Sequence, residues 1–296
     1  MACIFCYMPY AFFALRKRPF SRPLFLTKNM TAKNKNQKKA LNLQSRNRNR
    51  HTAMNENIDL NNKKLSIIIP AYNEAGNISK VIAKVCDVVL PYGIRKEIIV
   101  VDDGSKDATY DNASRYVSSN VNLPVKILRH EQNHGKGRAI RTALAVITGD
   151  YVIIQDGDLE LDPNDIAKLM KAMIDGNYEV VYGSRFLDKQ NTSLYRSFYL
   201  GGRLVSHIAN ILYGQNITDE PTCYKLMRTE VLKRFNLRCE GFEFCPEVTA
   251  KIAKLGIKIH EEPIHYSPRT LAEGKKLRWT DGIEAVWTLI KYRFIN

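Results

Sequence analysis

From Leu65 onward the chain alternates short, almost wholly apolar runs with longer stretches in which apolar residues recur every three or four positions. The run "LSIIIP" (65–70) is β-branched and apolar, and predicts a strand ended by Pro70. In "NISKVIAKVCDVV" (77–89), Ile78, Ile82, Val85 and Val89 fall on one helical face. "EIIVVDD" (97–103) is the next strand; after a polar helix come "VKILRH" (125–130) as a strand, "GRAIRTALAVI" (137–147) as a helix and "YVII" (151–154) as a strand. Strands this apolar, alternating with helices, predict a parallel sheet covered on both faces, an α/β fold.

The rhythm changes after Met173. "VVYGSRF" (180–186) reads as a further strand, "GGRLVSHIANILYG" (201–214) as an amphipathic helix, "CYKLMR" (223–228) as a strand and "FCPEVTAKIAKLG" (244–256) as a helix closed by Gly256. "IKIHEEPIHY" (257–266) is extended, and "DGIEAVWTLIKYRF" (281–294) is a last amphipathic helix carrying Ile283, Val286, Trp287, Ile290 and Phe294. Such a stripe packs on a core or lies on a bilayer surface, and the sequence weighs the two equally. No internal repeat is visible.

Charge divides the chain. Of 45 basic residues, 12 lie in residues 1–55, which hold no acid; the remaining 33 face 30 acidic residues. The formal charge of +15 therefore belongs to a tail, and a specific nucleic-acid role has no support in the body. Within the tail, Ala2 to Leu15 is uncharged but too short to span a bilayer, and it lacks the basic start and cleavage site of a secretory signal. The composition also suits an organelle presequence; the favoured reading is a basic, disordered, dispensable extension over 1–60, followed by one domain over 61–296. The six cysteines show no disulfide framework, which suits reduced thiols in the cytoplasm.

In parallel α/β sheets, functional residues gather at the carboxyl ends of strands. Here those ends read "PAYNE", "DDGS", "RHEQNHGKG" and "QDGDLE". If the chain stays extended after "YVII", Asp156, Asp158 and Glu160 project to one side and form an oxygen donor set suited to Mg²⁺ or Mn²⁺ with substrate phosphates. The competing reading is a solvated acidic turn, with Asp162 capping the next helix. In "PAYNEAGNI", Tyr72 and Glu74 suit contact with a nucleotide base and Asn73 suits fixing the loop; an ordinary strand-to-helix turn explains the segment equally well on its own. Asp102 and Asp103 end a strand before Gly104, where an Asx turn is the alternative. "NHGKGRA" lacks the spacing of a P-loop, yet Lys136 at a helix start suits an anion.

The ordered set "SIIIPAYNEAGNI", "EIIVVDDGSKDAT", "NHGKGRAIRTAL", "YVIIQDGDLELDP", "VVYGSRF" and "TDEPTCYKLMR" resembles family 2 glycosyltransferases of the GT-A fold, in the branch of dolichyl-phosphate mannosyltransferase and polyprenyl-phosphate glycosyltransferases. The resemblance implies a mostly parallel sheet flanked by helices, with acceptor-side helices and strands in the second half. It implies an inverting transfer of a sugar from a UDP-glucose- or GDP-mannose-type donor to a polyprenyl or dolichyl phosphate, at the cytoplasmic face of a membrane. Asp156–Asp158 becomes the D-x-D, with Asp158 and Glu160 nearest the metal; Pro70, Tyr72, Glu74, Asp102 and Asp103 hold the nucleotide; Arg185 approaches the phosphates; Arg203 and Ser206 meet the acceptor phosphate. Asp219, Lys225, Glu247, Arg269 and Lys275 match further recurring positions. Many relatives in that branch carry transmembrane helices after the catalytic domain, so a peripheral membrane contact or a membrane-subunit partner is expected.

The acceptor decides the chemistry. A hydroxyl on a glycan or cell-envelope acceptor needs a general base, for which Asp219 is the candidate. A lipid phosphate needs none; it needs cations beside the donor's diphosphate, and Arg203, Arg269 and Lys275 suit that task on the acceptor side. In that case Asp219 orients Lys225 or Arg203. A non-enzymatic anion binder acting through the basic tail is the remaining class.

Overall fold

The computed structural model describes residues 60–191, 196–270 and 279–295. Seven strands form one sheet: β1 (Lys64–Ala71), β2 (Arg95–Asp102), β3 (Val125–Arg129), β4 (Tyr151–Ile154), β5 (Val180–Ser184), β6 (Lys225–Arg228) and β7 (His260–Pro263). Their spatial order is β3-β2-β1-β4-β6-β5-β7. The helices are α1 (Ile78–Asp87), α2 (Thr109–Ser119), α3 (Lys136–Leu144), α4 (Asp165–Asp175), α5 (Arg196–Tyr213), the short α6 (Thr229–Leu232), α7 (Phe244–Lys254) and α8 (Trp279–Phe294). This is a mostly parallel sheet flanked by helices, as expected.

The central strands are buried on both faces. Ile67, Ile68 and Ile69 of β1, Ile98 and Val101 of β2, and Ile153 of β4 are wholly inaccessible, which accounts for the unbroken apolar runs. Along α1, Ile78, Val81, Ile82 and Val85 face this core. Val89 does not join them: the helix ends at Asp87, and Val89 is 86% exposed. Pro70 does not end β1 either. It pairs with Val101, and the strand runs on to Ala71.

The sheet has one exception to parallel order. β6 runs antiparallel to both β4 and β5, while β5 pairs parallel with β7. The carboxyl ends of β1, β2, β4, β5 and β7 therefore share one edge with the segment entering β6 (219–224). The chain winds outward from β1 through β2 to β3, then returns to β4 on the other side of β1. That reversal opens a crevice above β1 and β4, the place where α/β sheets bind ligands.

The last helix turns most of its stripe away from the core, with Val286 packed against it in part. Ala285, Thr288, Leu289 and Tyr292 are its buried residues, whereas Ile283, Trp287, Ile290 and Phe294 are exposed. Tyr213 of α5 donates a hydrogen bond to the Leu289 carbonyl, joining the two helices. Among the described residues no helix is long and apolar enough to cross a membrane. Residues 1–59, and the expectation of a disordered extension, lie outside the described residues.

Candidate active site

The crevice is walled by the loops that follow β1 and β4. After β1, Asn73 adopts φ 50°, and its backbone N–H donates to Ser105 Oγ while its Oδ1 accepts from the Lys106 N–H. Asn73 thus fixes this loop to the one after β2, as the sequence suggested. The adjoining Glu74 is buried; its N–H donates to Thr109 Oγ1, and its Oε2 accepts from Asn77 Nδ2. Pro70 and Tyr72 are partly exposed at the same rim.

After β4 the chain turns instead of staying extended. Leu159 sits at φ 61°, and Asp158 Oδ1 accepts from the Glu160 N–H at 3.1 Å, closing an Asx turn. Alternation is lost, and the three carboxylates divide between two cations. Asp156 pairs with Lys136 Nζ, which reaches over from the start of α3. Asp158 and Glu160 turn to Arg269: Nη2 donates to Asp158 Oδ2 at 2.6 Å, and Nε lies 3.6 Å from Glu160 Oε1. The same guanidinium lies 3.3 Å from both oxygens of Glu74. Asp156, Asp158 and Glu160 are therefore not gathered on one side, and among the described residues no three such side chains converge as if on a metal ion. Asp162 accepts from the Asn164 N–H and caps the turn into α4, as expected.

The sequence puts Arg269 on the acceptor side; the structure places it among the carboxylates. The segment that carries it is sewn to the β4 loop. Leu161 and Tyr266 form a bridge, the Ser267 N–H donates to the Glu160 carbonyl, and the Arg269 N–H donates to Glu160 Oε1.

The two aspartates after β2 have different fates. Asp103 is consumed internally: Oδ1 accepts from the His134 N–H and bonds His130 Nδ1 at 2.6 Å, while Oδ2 accepts from Asn133 Nδ2 and the Gly135 N–H. It anchors the loop 130–135, which corrects its assignment to the nucleotide. Gly104 beside it is at φ +67°, where a Cβ would come within 2.3 Å of the Gln132 backbone, so only glycine lets the two loops touch. Asp102, equally buried, accepts no hydrogen bond at either oxygen among the described residues; Arg129 Nε stands 3.2 Å from Oδ2 as an ion partner. A buried carboxylate at a strand end with unfilled acceptor capacity suits a ligand N–H or O–H.

On the β5 and β6 side, Arg185 binds Asp219 through a fork. Nε and Nη2 donate to its two oxygens at 2.8 and 2.7 Å, and the Arg185 N–H adds a third bond at 2.9 Å. Burial works against the charged guanidinium, but the Asp219 charge outweighs it and holds Arg185 above its ordinary value. Asp219 orients Arg185, not Lys225 or Arg203. Lys225 is itself buried, donating to the Glu220 carbonyl and lying 3.8 Å from the Tyr182 ring centroid. Glu261, unmarked in the sequence reading, accepts from the N–H groups of Thr218 and Asp219 and so sets the loop holding Asp219. Its only sequence signal is an acid in a short edge strand.

Ser206 is buried and committed: its hydroxyl donates to the Gly202 carbonyl and accepts from the Glu220 N–H. That internal role corrects its assignment to the acceptor. Arg203 remains exposed, 5.7 Å from the Phe186 ring centroid, with Arg185 5.8 Å from the same ring. Glu247 holds the 238–239 backbone and Lys251. Lys275 lies outside the described residues.

Glu74, Asp156, Asp158 and Glu160 carry four negative charges, and Lys136 and Arg269 return two. The deficit is felt at Asp158, whose carboxyl is pushed up to about 6 by burial and by the Asp156 charge, with Arg269 opposing. A hard divalent ion such as Mg²⁺ or Mn²⁺ takes one or two carboxylates together with substrate phosphates, and Asp158 and Glu160, which share one guanidinium, are the pair of this loop that fits it.

Residues 66–235, more than half of the chain, match the sequence model of Glycosyl transferase family 2. Over 215 residues the chain is 29% identical to the dolichol-phosphate mannosyltransferase of Pyrococcus furiosus, covering 72% of this chain and 59% of that protein. It is 28% identical over 193 residues to the dodecaprenyl-phosphate galacturonate synthase of Rhizobium johnstonii, covering 64% and 55%. The chain thus spans less than two thirds of the length of these relatives. Among solved structures, glucosyl-3-phosphoglycerate synthase from Mycobacterium tuberculosis, in complex with Mn²⁺, UDP and phosphoglyceric acid, superposes with a TM-score of 0.59 over 79% of this chain and 80% of that one. At 21% identity this similarity concerns the fold.

Proposed function

Because this chain belongs to glycosyl transferase family 2, we propose that it is an inverting glycosyltransferase that moves a sugar from a UDP- or GDP-sugar to a polyprenyl phosphate at the cytoplasmic face of a membrane. One observation carries the choice of acceptor: Asp219, the candidate base, gives both carboxylate oxygens to Arg185 and is buried. A hydroxyl acceptor needs a free base at that position; a phosphate is already ionised and needs only cations. The names of the two relatives, both built on polyprenyl-type phosphates, support the same class. So does the exposed apolar face of α8, suited to a bilayer or a membrane subunit.

In this reading Asp102, Tyr72 and Pro70 receive the nucleotide. Asp158 and Glu160 would hold Mg²⁺ or Mn²⁺, which supplies neutralisation of the departing diphosphate. Arg185, locked by Asp219, presents a fixed positive charge where negative charge develops, with no reorganisation needed at the moment of transfer. Arg203, exposed near Arg185, meets the acceptor phosphate, whose oxygen attacks the anomeric carbon from the face opposite the leaving group. No proton is removed in that step.

The test is a panel of UDP- and GDP-sugars offered to the full chain with polyprenyl phosphate and, separately, with soluble hydroxyl acceptors, in Mn²⁺ and in EDTA. Metal-dependent, lipid-linked product is expected. Product on hydroxyl acceptors alone would overturn the acceptor assignment.

A further inference from the structure

Arg269 is the meeting point of the site's acids. Its guanidinium contacts Asp158 at 2.6 Å, Glu74 at 3.3 Å and Glu160 at 3.6 Å, drawing one carboxylate from the β1 loop and two from the β4 loop. The fit is incomplete, because Nε is buried and makes no hydrogen bond among the described residues. The segment that carries it is fastened independently, by the Ser267 N–H on the Glu160 carbonyl and by the Leu161–Tyr266 bridge. The side chain can therefore leave while its backbone stays attached through these contacts.

A divalent ion on Asp158 would sit roughly 2.0–2.2 Å from a carboxylate oxygen. Asp158 Oδ1 already accepts from the Glu160 N–H, and Oδ2 holds Arg269 Nη2. A guanidinium at that distance and a metal on the same oxygen are like charges in one place, so they exclude each other.

We propose that Arg269 is a tethered counter-cation: it holds Glu74, Asp158 and Glu160 in place while no metal is bound, and a divalent ion must displace it to bind. This inference rests on the metal reading above and adds an internal competitor to it. Guanidinium keeps its proton, so once displaced Arg269 remains a cation in search of an anion. The phosphates of the donor or the acceptor would supply one. Metal loading would then release an arginine for phosphate at the moment phosphate is needed, and the one side chain would serve both sides of the site in turn.

The prediction concerns binding, not turnover. A closed competitor lowers apparent affinity by the fraction of molecules in which it is displaced. Mn²⁺ is titrated calorimetrically, without nucleotide, into the full chain, Arg269→Gln and Arg269→Lys, with thermal melts to confirm folding. Arg269→Gln is expected to bind Mn²⁺ roughly tenfold tighter than wild type or better, because the competitor is gone. Arg269→Lys, still cationic, stays close to wild type and serves as the second comparison if the glutamine variant does not fold; there, a Mn²⁺ affinity at least tenfold above wild type would count against competition by charge. Equal or weaker Mn²⁺ binding by Arg269→Gln overturns the proposal. Asp158→Asn separates the two levels. If Mn²⁺ binds through Asp158 but ignores Arg269→Gln, the competitor idea alone fails. If no variant binds Mn²⁺, or if binding survives Asp158→Asn, the metal reading fails and this inference with it.

Discussion

Both oxygens of the buried Asp219 carboxylate are held by the guanidinium of Arg185, at 2.8 and 2.7 Å. A carboxylate in that state is a positioning group. It aims the arginine, and both of its oxygens are committed to that pairing.

Asp219→Asn should therefore lower kcat/KM about a hundredfold or more without moving the acidic limb of the pH–rate profile. Asp219→Ala should also cost stability, about 3–5 kcal/mol, because it leaves a partly buried arginine unpaired. The double variant with Arg185→Met should be less destabilised than the sum of the singles, since the stranded charge is gone as well. These are measured by denaturant unfolding and by pH profiles. Loss of the acidic limb in Asp219→Asn would restore the general-base role and with it the hydroxyl acceptor.

Asp158 sets up a pH dependence of stability with a definite sign. Its folded carboxyl titrates near 6, above the ordinary 3.8, so the folded protein holds that proton more tightly than the unfolded chain does. Without metal, stability is therefore lost as pH rises through 4 to 6, and the cost, up to about 3 kcal/mol, is complete above 6. Asp158→Asn removes that cost and leaves Arg269 with Glu74 and Glu160. We expect the variant to melt higher than wild type at pH 8 in EDTA, with the difference fading by pH 4. A lower melting temperature at pH 8 would mean that Arg269 compensates Asp158 fully.

The sequence revealed the scaffold because buried parallel strands must be apolar throughout, and β1, β2 and β4 are. It placed Asp158, Glu74 and Asp102 at strand ends, where the structure puts them. What it missed were the consequences of turning. Asp156 is drawn to Lys136, a cation from another loop, while the turn at Leu159 leaves Asp158 and Glu160 together on Arg269. The antiparallel entry of β6 brings Asp219 to Arg185, a pairing 34 residues apart that no local pattern announces. Asp103 and Ser206 looked like ligand contacts because polar residues at strand ends and helix faces read alike whether they meet a substrate or another loop. Only their partners decide, and those partners are a backbone loop and Glu220.

Asp102 offers a test of the nucleotide side. Neither of its oxygens accepts a hydrogen bond among the described residues, although the group is buried. A donor group on a base or ribose would complete it. Asp102→Asn should weaken UDP or GDP binding by roughly tenfold to a hundredfold, on the scale of a hydrogen bond to a charged group. Binding of Mn²⁺ alone should not change. Unaltered affinity for both nucleotides would show that Asp102 serves only as the partner of Arg129.

The exposed face of α8 separates a membrane-borne acceptor from a soluble one. Trp287 is 63% and Phe294 82% exposed, seven residues apart, so the two lie on one side of the helix; Ala285, Leu289 and Tyr292 face the core. Exposed side chains add little to folding, and Trp287→Ser with Phe294→Ser should change stability by less than about 0.5 kcal/mol each. Burying such side chains in a bilayer is worth about 1.5–3 kcal/mol apiece. The double variant should therefore bind anionic phospholipid vesicles at least tenfold more weakly. It should transfer sugar correspondingly more slowly to long-chain polyprenyl phosphate in those vesicles. Transfer to a short, water-soluble isoprenyl phosphate should be unchanged, because that acceptor reaches Arg203 without the bilayer. Equal losses with both acceptors would place α8 in the working of the site itself. No loss with either would remove the membrane from the function of this helix and leave its apolar face to a protein partner.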